Sequence, residues 1–290
     1  MGFVMKNIGI SVNPHLGKNT AVTDLLTKVK KKYDFNFYCQ AKSENFLPEF
    51  VCVIDDIDKF NKKLDIIWVF GGDGTILHSI DFSLKTDAPV LGINLGRLGF
   101  LADTDMSEFE KSLNLLINKK YRIQSRMLLK ASLKREGKLI YSACALNDAV
   151  IYKGTVPHLI KIKVYDNKRF VLETRCDGII ASTPTGSTAY NLSAGGPILS
   201  PVTEAFVVSP LNPHLLSVRP LVFPASINLA FLVHEIVEEA ILQLDGRNVF
   251  KLKDKDELFV KSDSRKVNFV KLNNKNFFQI LRKKMHMGKS

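Results

Sequence analysis

Leu64-Asp65-Ile66-Ile67-Trp68-Val69-Phe70-Gly71-Gly72-Asp73-Gly74-Thr75-Ile76-Leu77-His78-Ser79 decides how the fold is read. The apolar run 64–70 reads as a buried strand, and the residues from Thr75 onward read as the start of a helix. Between them lies a glycine-rich turn. Strand, glycine turn and helix together make a phosphate-binding geometry, because glycine lets the backbone approach an anion and the N–H groups of a helix N-terminus face it. The unusual member is Asp73. A carboxylate beside bound phosphates repels them unless a metal, a cation or a role as general base compensates. That points to phosphoryl transfer with Asp73 near the chemistry. The plainer alternative is a tight turn at a strand end, which needs glycines but not an aspartate.

Two familiar phosphate motifs are absent here. G-x-G-x-x-G would need glycine at 77, where Leu77 stands, and no Gly-Lys-Ser/Thr triplet follows the turn. G-x-S-x-G is missing as well, so a serine hydrolase is not indicated.

The 290 residues suggest about two domains, and 46% apolar with 24% charged residues is an ordinary globular composition. No apolar stretch reaches the ~18 residues of a membrane span. The opening residues carry no basic region followed by a long apolar one, and Lys6 breaks the myristoylation pattern, so neither a leader nor a lipid anchor is expected. Cys39, Cys52, Cys144 and Cys176 are scattered without a C-x-x-C and read as reduced thiols of a cytoplasmic protein. His234-Glu235 begins a zinc-like H-E-x-x-H, but residue 238 is Glu. Asn191-Leu192-Ser193 matches a glycosylation sequon only by chance. The net charge of +12 could attract a polyanion, yet the runs 28–32 and 282–284 read as solvated helix faces. No RNA-binding signature accompanies them, so no nucleic-acid partner is expected.

Along the chain, strand-like and helix-like segments alternate through residues 1–125, which predicts an α/β domain with a Rossmann-like parallel sheet. Strands are expected at 7–12, 35–38, 64–70 and 89–94, and helices at 20–33, 75–84 and 106–118. From about 126 strands follow one another, with turn signals at 136–138 and 166–168. This predicts an all-β domain over 126–276. Its strands are expected at 127–135, 139–152, 159–165, 169–175, 227–233, 239–244, 248–252 and 257–261. Six of the 11 prolines fall between Pro197 and Pro224, so that stretch is expected to be loop-rich. The tail, 277–290, reads as a helix over 277–287 that returns to the first domain.

Two further constellations stand out. Asn147-Asp148 interrupts the apolar strand 139–152. Polar groups there are costly if buried without partners. An amide and a carboxylate suit ribose hydroxyls, although a strand end or bulge would place them equally well. Asp177–Pro201 gathers Ser182, Thr183, Thr185, Ser187, Thr188 and Ser193 around glycines, with Tyr190 among them. Such a loop can read a base edge with hydroxyls and amides while the tyrosine ring stacks on the base.

These segments resemble the NAD kinase family. GGDGT (71–75), GINLGRLGFLAD (92–103), LNDAVI (146–151), DGIIASTPTGSTAYNLSAGGPILSP (177–201) and RPLVF (219–223) match it in order and spacing across nearly the whole chain. The resemblance implies transfer of the γ-phosphate of ATP, or of polyphosphate, to the 2′-hydroxyl of the adenosine ribose of NAD. It also implies a divalent cation such as Mg²⁺ carried on the ATP phosphates, and a homodimer or homotetramer. By position, Asp73 becomes the general base, and Gly71, Gly72 and Gly74 shape the phosphate turn, with Gly74 also against NAD. Asn147 and Asp148 would hold ribose. Asp177 and Thr188 would read adenine, with Tyr190 stacked on it. Ala189, Asn191 and Leu192 complete that stretch, and Ser193 and Asn212 would lie near the nicotinamide or a neighbouring subunit. His78, His158 and Arg175 match positions near the NAD phosphates, although His158 could equally be a surface or packing residue.

One departure is Arg247, where the family usually has Gln after Asp-Gly. A guanidinium donates but cannot accept hydrogen bonds. Facing the dinucleotide it would favour phosphates, and facing solvent it would do little. A non-catalytic NAD(P)-binding sensor, or a lipid or sugar kinase of the same superfamily, are the competing readings.

Overall fold

The computed structural model describes residues 5–13, 20–96, 99–155, 157–237, 239–272 and 276–286. Arg97 and Leu98 of the 92–103 segment, and Met287 of the expected terminal helix, lie outside these residues. The chain forms two units, Met1–Ser125 together with Val267–Ser290, and Arg126–Lys266.

The first unit runs through β1 (Asn7–Val12), α1 (Thr20–Lys32), β2 (Asn36–Gln40), β3 (Cys52–Ile54), β4 (Ile66–Phe70), α2 (Asp73–Thr86), β5 (Val90–Asn94), β6 (Thr104–Asp105) and α3 (Phe109–Ile117). Strands β3, β2, β1, β4 and β5 lie side by side in that order, all parallel. Every residue of β4 and β5 is buried, which is why both read as unbroken apolar runs. Val22, Leu26 and Val29 bury one face of α1 at helical spacing. Trp68 on β4 meets Phe109 on α3 edge to face, ring centroids 5.1 Å apart. The helix expected from Met106 begins as a 3₁₀ turn, Met106–Glu108, before α3. The strand order reverses between β1 and β4, so the carboxyl end of β4 borders the crevice where open α/β sheets bind ligands. The glycine turn stands at that end.

The second unit holds β7 (Arg122–Arg135, its first residues in the first unit), β8 (Lys138–Ala145), β9 (Asp148–Tyr152), β10 (Ile160–Asp166), β11 (Arg169–Cys176), β12 (Gly178–Ser182), the short helix α4 (Tyr190–Ser193), β13 (Ala205–Leu211), β14 (Leu221–Pro224), β15 (Leu229–His234), β16 (Ala240–Leu244) and β17 (Arg247–Leu252). β18 (Glu257–Lys271) closes the series, its last residues from Val267 on belonging to the first unit, as does α5 (Phe277–Met285). One sheet runs β14-β13-β12-β9-β16-β17. The other joins β11, β10, β15, β18, β7 and β8. One apolar core draws on both, with Ile151, Ile179, Phe206 and Leu242 from the first sheet and Leu129, Ile162, Phe231 and Val260 from the second. Burial alternates along β10, β15 and β16, the period-two signature of strands with one face in a core.

Two expectations need correction and one, the loop-rich stretch 197–224, needs detail. The strand 139–152 is two strands in different sheets, broken at Leu146-Asn147, because Asp245 captures the N–H groups of residues 146–148. The proline-rich stretch contains β13 and β14. Its prolines sit in the connections or near strand ends, as Pro210 and Pro224 do, where a missing donor costs little. The strand expected over 257–261 continues to Lys271, and Phe269 pairs in parallel with Val90 of β5 in the first unit. There α5 starts from a capping box. Asn276 accepts from Gln279 N at 2.9 Å, and Gln279 Oε1 accepts from Asn276 N at 2.9 Å.

Candidate active site

In the first unit, Gly72 caps α2 without any side-chain hydrogen bond, so the donors of the first turn are not satisfied by a capping residue. Thr75 Oγ1, on that turn, is buried without a hydrogen-bond partner. The glycines of the turn have different reasons to be glycine. A Cβ on Gly71 would stand 2.2 Å from Thr75 Oγ1, so packing requires glycine there. A Cβ on Gly72 or Gly74 would meet nothing within 4 Å. Both are exposed, and the fold makes no demand on them. What an open backbone at these two positions serves is close approach from outside the protein.

Asp73 is half-buried as the first residue of α2. Its Oδ2 accepts from Phe100 N at 2.8 Å and its Oδ1 from Leu101 N at 3.0 Å. Each oxygen keeps a lone pair, so the carboxylate is aimed but not used up. The 92–103 segment thus supplies the donors that orient the aspartate, a link that spacing alone does not reveal. His78 lies exposed on the second turn of α2.

In the second unit, Asp245 and Gly246 have φ of 49° and 74° and join β16 to β17 as a two-residue hairpin turn of the mirror-image type. From this turn the Asp245 carboxylate accepts from Leu146 N at 2.9 Å, Asn147 N at 2.8 Å and Asp148 N at 3.2 Å. Burial raises its pKa, and the three N–H groups and the charge of Arg247 pull it back in part. Asp148 is buried, 4% exposed, and its pKa is pushed up to about 7, first by burial and then by the charge of Asp245. Asn147 is half-buried and its carbonyl accepts from Thr183 N at 2.8 Å. The structure therefore draws LNDAVI, the start of the 177–201 loop and the Asp-Gly turn into one cluster. Asp245 is the residue sequence reasoning passed over. Its signal is an Asp-Gly pair between two strands, a turn pattern that says nothing of what the side chain holds.

Asp177 pairs with Lys153 at 2.8 Å and accepts from Asn212 Nδ2 at 2.8 Å. Burial opposes ionisation, but these two partners outweigh it and lower the pKa. Thr188 and Ala189 are half-buried, with Thr188 Oγ1 donating to Thr185 O at 3.3 Å. Tyr190 is 42% exposed, and its phenol is raised by burial first and then by Tyr152, Asp177 and Asp148. Asn191 is wholly buried. Its amide donates to Ser187 O and Pro197 O and accepts from Ser209 Oγ, so the side chain holds the loop together. Leu192 is half-buried and Ser193 exposed. Thr185 Oγ1 is buried with no partner. His158, Arg175 and His214 line a pocket of about 310 Å³ with Glu235, to which Arg175 is ion-paired at 2.7 Å. Arg247 is exposed at the start of β17, and its charge is felt by Asp245.

Among the described residues no group of three or more His, Cys, Asp or Glu side chains could hold a metal ion, and all four cysteines are free. Among the described residues no helix is long and apolar enough to cross a membrane.

Comparison with known proteins bears on the family of the chain. Residues 6–121 match the ATP-NAD kinase N-terminal domain and residues 146–272 the ATP-NAD kinase C-terminal domain. The chain is similar to the NAD kinase of Carboxydothermus hydrogenoformans, 38% identical over 232 residues, which is 80% of this chain and 83% of that protein. It is also similar to the NAD kinase of Caldanaerobacter subterraneus subsp. tengcongensis, 34% identical over 97% of this chain and 99% of that one. Among solved structures, yeast NADH kinase complexed with NADH superposes with a TM-score of 0.88 at 26% identity, over 99% of this chain and 89% of that chain. An Archaeoglobus fulgidus NAD kinase in complex with ATP shares the fold, with a TM-score of 0.68 at 22% identity over 98% and 100% of the two chains. With an aspartate aimed from a glycine turn at the switch point, a polar cluster built on Asn147-Asp148, and these matches over both units, the chain belongs to the NAD kinase family.

Proposed function

We propose that this chain transfers the γ-phosphate of ATP to the 2′-hydroxyl of the adenosine ribose of NAD, giving NADP and ADP, with Asp73 as general base. The observation that carries the reading is the Asp73 carboxylate, half-buried and held by two N–H groups at the mouth of an uncapped helix N-terminus. A sugar hydroxyl is a weak nucleophile. As its oxygen bonds to the γ-phosphorus and the bond to the departing ADP oxygen breaks, its proton passes to an Asp73 oxygen. Because Phe100 and Leu101 N–H groups already fix the carboxylate, little reorganisation is needed at the moment of transfer. The open backbone at Gly72 and Gly74, with the α2 N-terminus behind it, suits the donor phosphates.

In the second unit, Asn147 and Asp148 suit ribose hydroxyls, while Asp177, Thr188 and Tyr190 suit adenine. A buried carboxyl with a pKa of about 7 can donate or accept near neutrality. Ala189, Leu192 and Ser193 extend that surface, and His78, His158, Arg175, Asn212 and Arg247 are its polar or cationic surroundings. Among the described residues no cluster would hold Mg²⁺ by itself, so the ion would be carried on the triphosphate. It keeps most of its oxygen ligands from phosphate and water and needs few carboxylates. When bound it would neutralise charge on the phosphates. Four unpaired thiols fit a cytoplasmic setting, and we infer a homo-oligomer from the family.

The test is NADP formation from NAD, ATP and Mg²⁺ by the purified chain, with Asp73→Asn beside it. We expect product from the wild type and turnover at least ~100-fold lower in the variant, with NAD binding retained. Turnover near wild type in Asp73→Asn would sink the general-base assignment. No product from a folded wild type would sink the kinase reading itself.

A further inference from the structure

The C-terminal helix touches the loop that aims Asp73. Phe277 and Phe100 place their ring centroids 6.2 Å apart, and Lys284 Nζ lies 4.5 Å from the centroid of Phe100. Phe277, Leu281 and Lys284 stand at i, i+4 and i+7 on α5, one face of the helix, and Leu281 is buried. The residue that Phe277 and Lys284 contact is the one whose backbone N–H donates to Asp73 Oδ2.

The chain just before α5 holds the same loop from its other side. Lys271 pairs with Asp103 at 3.2 Å, both side chains only 7% exposed. Leu272 N donates to Asp103 Oδ2 at 2.6 Å, and Lys271 Nζ reaches Leu101 O at 3.5 Å. Leu101 is the second residue whose N–H holds Asp73. Both donor residues are thus held by Lys271, Phe277 and Lys284, 170 or more positions away in sequence and all within the first unit.

We propose that Phe277, assisted by Lys284, is a positioning residue for phosphoryl transfer: by packing on Phe100, α5 fixes the 99–103 loop and through it the direction of the Asp73 carboxylate. The proposal rests on Asp73 being the base. A carboxylate displaced by about 1 Å from a reacting hydroxyl can lose on the order of 100-fold in rate. Loosening one of its two donors should therefore cost turnover while leaving the residues proposed to hold NAD, all but Asp73, Gly74 and His78 in the second unit, as they are.

The experiment compares wild type, Phe277→Ala, Phe277→Tyr, Lys284→Ala and Asp73→Asn in the NADP-forming assay, each normalised to folded protein by its urea midpoint. For Phe277→Ala we expect kcat to fall about 10-fold or more with KM for NAD within about twofold. Lys284→Ala should lose less, and Phe277→Tyr should restore kcat because the ring is kept. Amide NMR supplies a readout that stability alone does not move. The Phe100 and Leu101 N–H resonances should shift in Phe277→Ala and return in Phe277→Tyr. Wild-type kcat and unshifted amides in Phe277→Ala, beside an inactive Asp73→Asn, would overturn the positioning role alone. An active Asp73→Asn would instead overturn the base assignment and the catalytic consequence with it. If Phe277→Ala does not fold, Phe277→Leu decides, with the same split of kcat from KM expected and its absence counting against the proposal.

Discussion

Gly99 lies so close to Asp73 that a methyl group built on it would stand 1.9 Å from Asp73 Oδ1. No side chain fits there while the carboxylate keeps its bonds to Phe100 N and Leu101 N. Gly99→Ala is therefore expected to turn Asp73 away from its two donors. The expected loss in kcat is on the order of 100-fold. Steady-state kinetics beside a urea unfolding curve checks this. Wild-type kcat would mean that the contact does not orient the carboxylate.

Gly74 makes the opposite prediction. A Cβ there meets nothing within 4 Å, and the residue sits in the first turn of α2. Gly74→Ala should leave stability unchanged or raise it by up to ~1 kcal/mol through helix propensity. If the bare backbone serves approaching phosphates, the same variant should raise KM for ATP. A thermal melt and an ATP titration together separate the two effects. A stable variant with unchanged KM would remove Gly74 from the donor site.

How much of this was legible depends on whether a residue acts through its neighbours in sequence. Strand β4, the glycine turn and α2 are contiguous, and their apolar run and glycines announced them. The alternation of strands and helices gave the parallel sheet for the same reason. Asp73 was legible as an oddity, but its donors were not, because Phe100 N lies 27 residues away and a backbone N–H leaves no mark in a sequence. The break at Leu146-Asn147 was hidden similarly, since the carboxylate that causes it is 97 to 99 positions on. Asn191 illustrates the converse. It sits in a distinctive motif, yet it is spent on Ser187 and Pro197 of the loop and on Ser209 of β13. Motif membership marks a neighbourhood, and packing decides which members face outward.

Asp148 makes stability depend on pH. Its folded pKa, about 7, lies above the ordinary carboxylate value of 3.8. Between those values the unfolded chain is ionised while the folded one holds a proton, so stability falls as pH rises through this window. The contribution is complete below about pH 4 and lost above about pH 7. Asp148→Asn removes the titration, so its stability relative to wild type should improve from pH 4 to pH 8, by up to a few kcal/mol. Urea unfolding of both proteins across that range checks the sign. Parallel curves would show that Asp148 does not titrate in this window.

Asp245→Asn tests whether the hairpin turn builds the cluster around Asn147 and Asp148. Asparagine tolerates the positive φ of 49° at this position, so the turn itself should survive. What changes is the acceptor. One amide oxygen must replace two carboxylate oxygens that now serve three N–H groups, and an NH₂ is brought against donors. The loss should be about 1–3 kcal/mol in stability. KM for NAD should rise more than kcat falls, because the residues displaced are those proposed to hold ribose. A second signature follows from charge. With Asp245 neutral, one of the two causes raising the Asp148 pKa disappears while burial remains. The pH-dependent loss of stability should then be smaller than in wild type but still present. An Asp245→Asn protein with the wild-type pH dependence and unchanged KM for NAD would show that the two carboxylates are neighbours without being coupled.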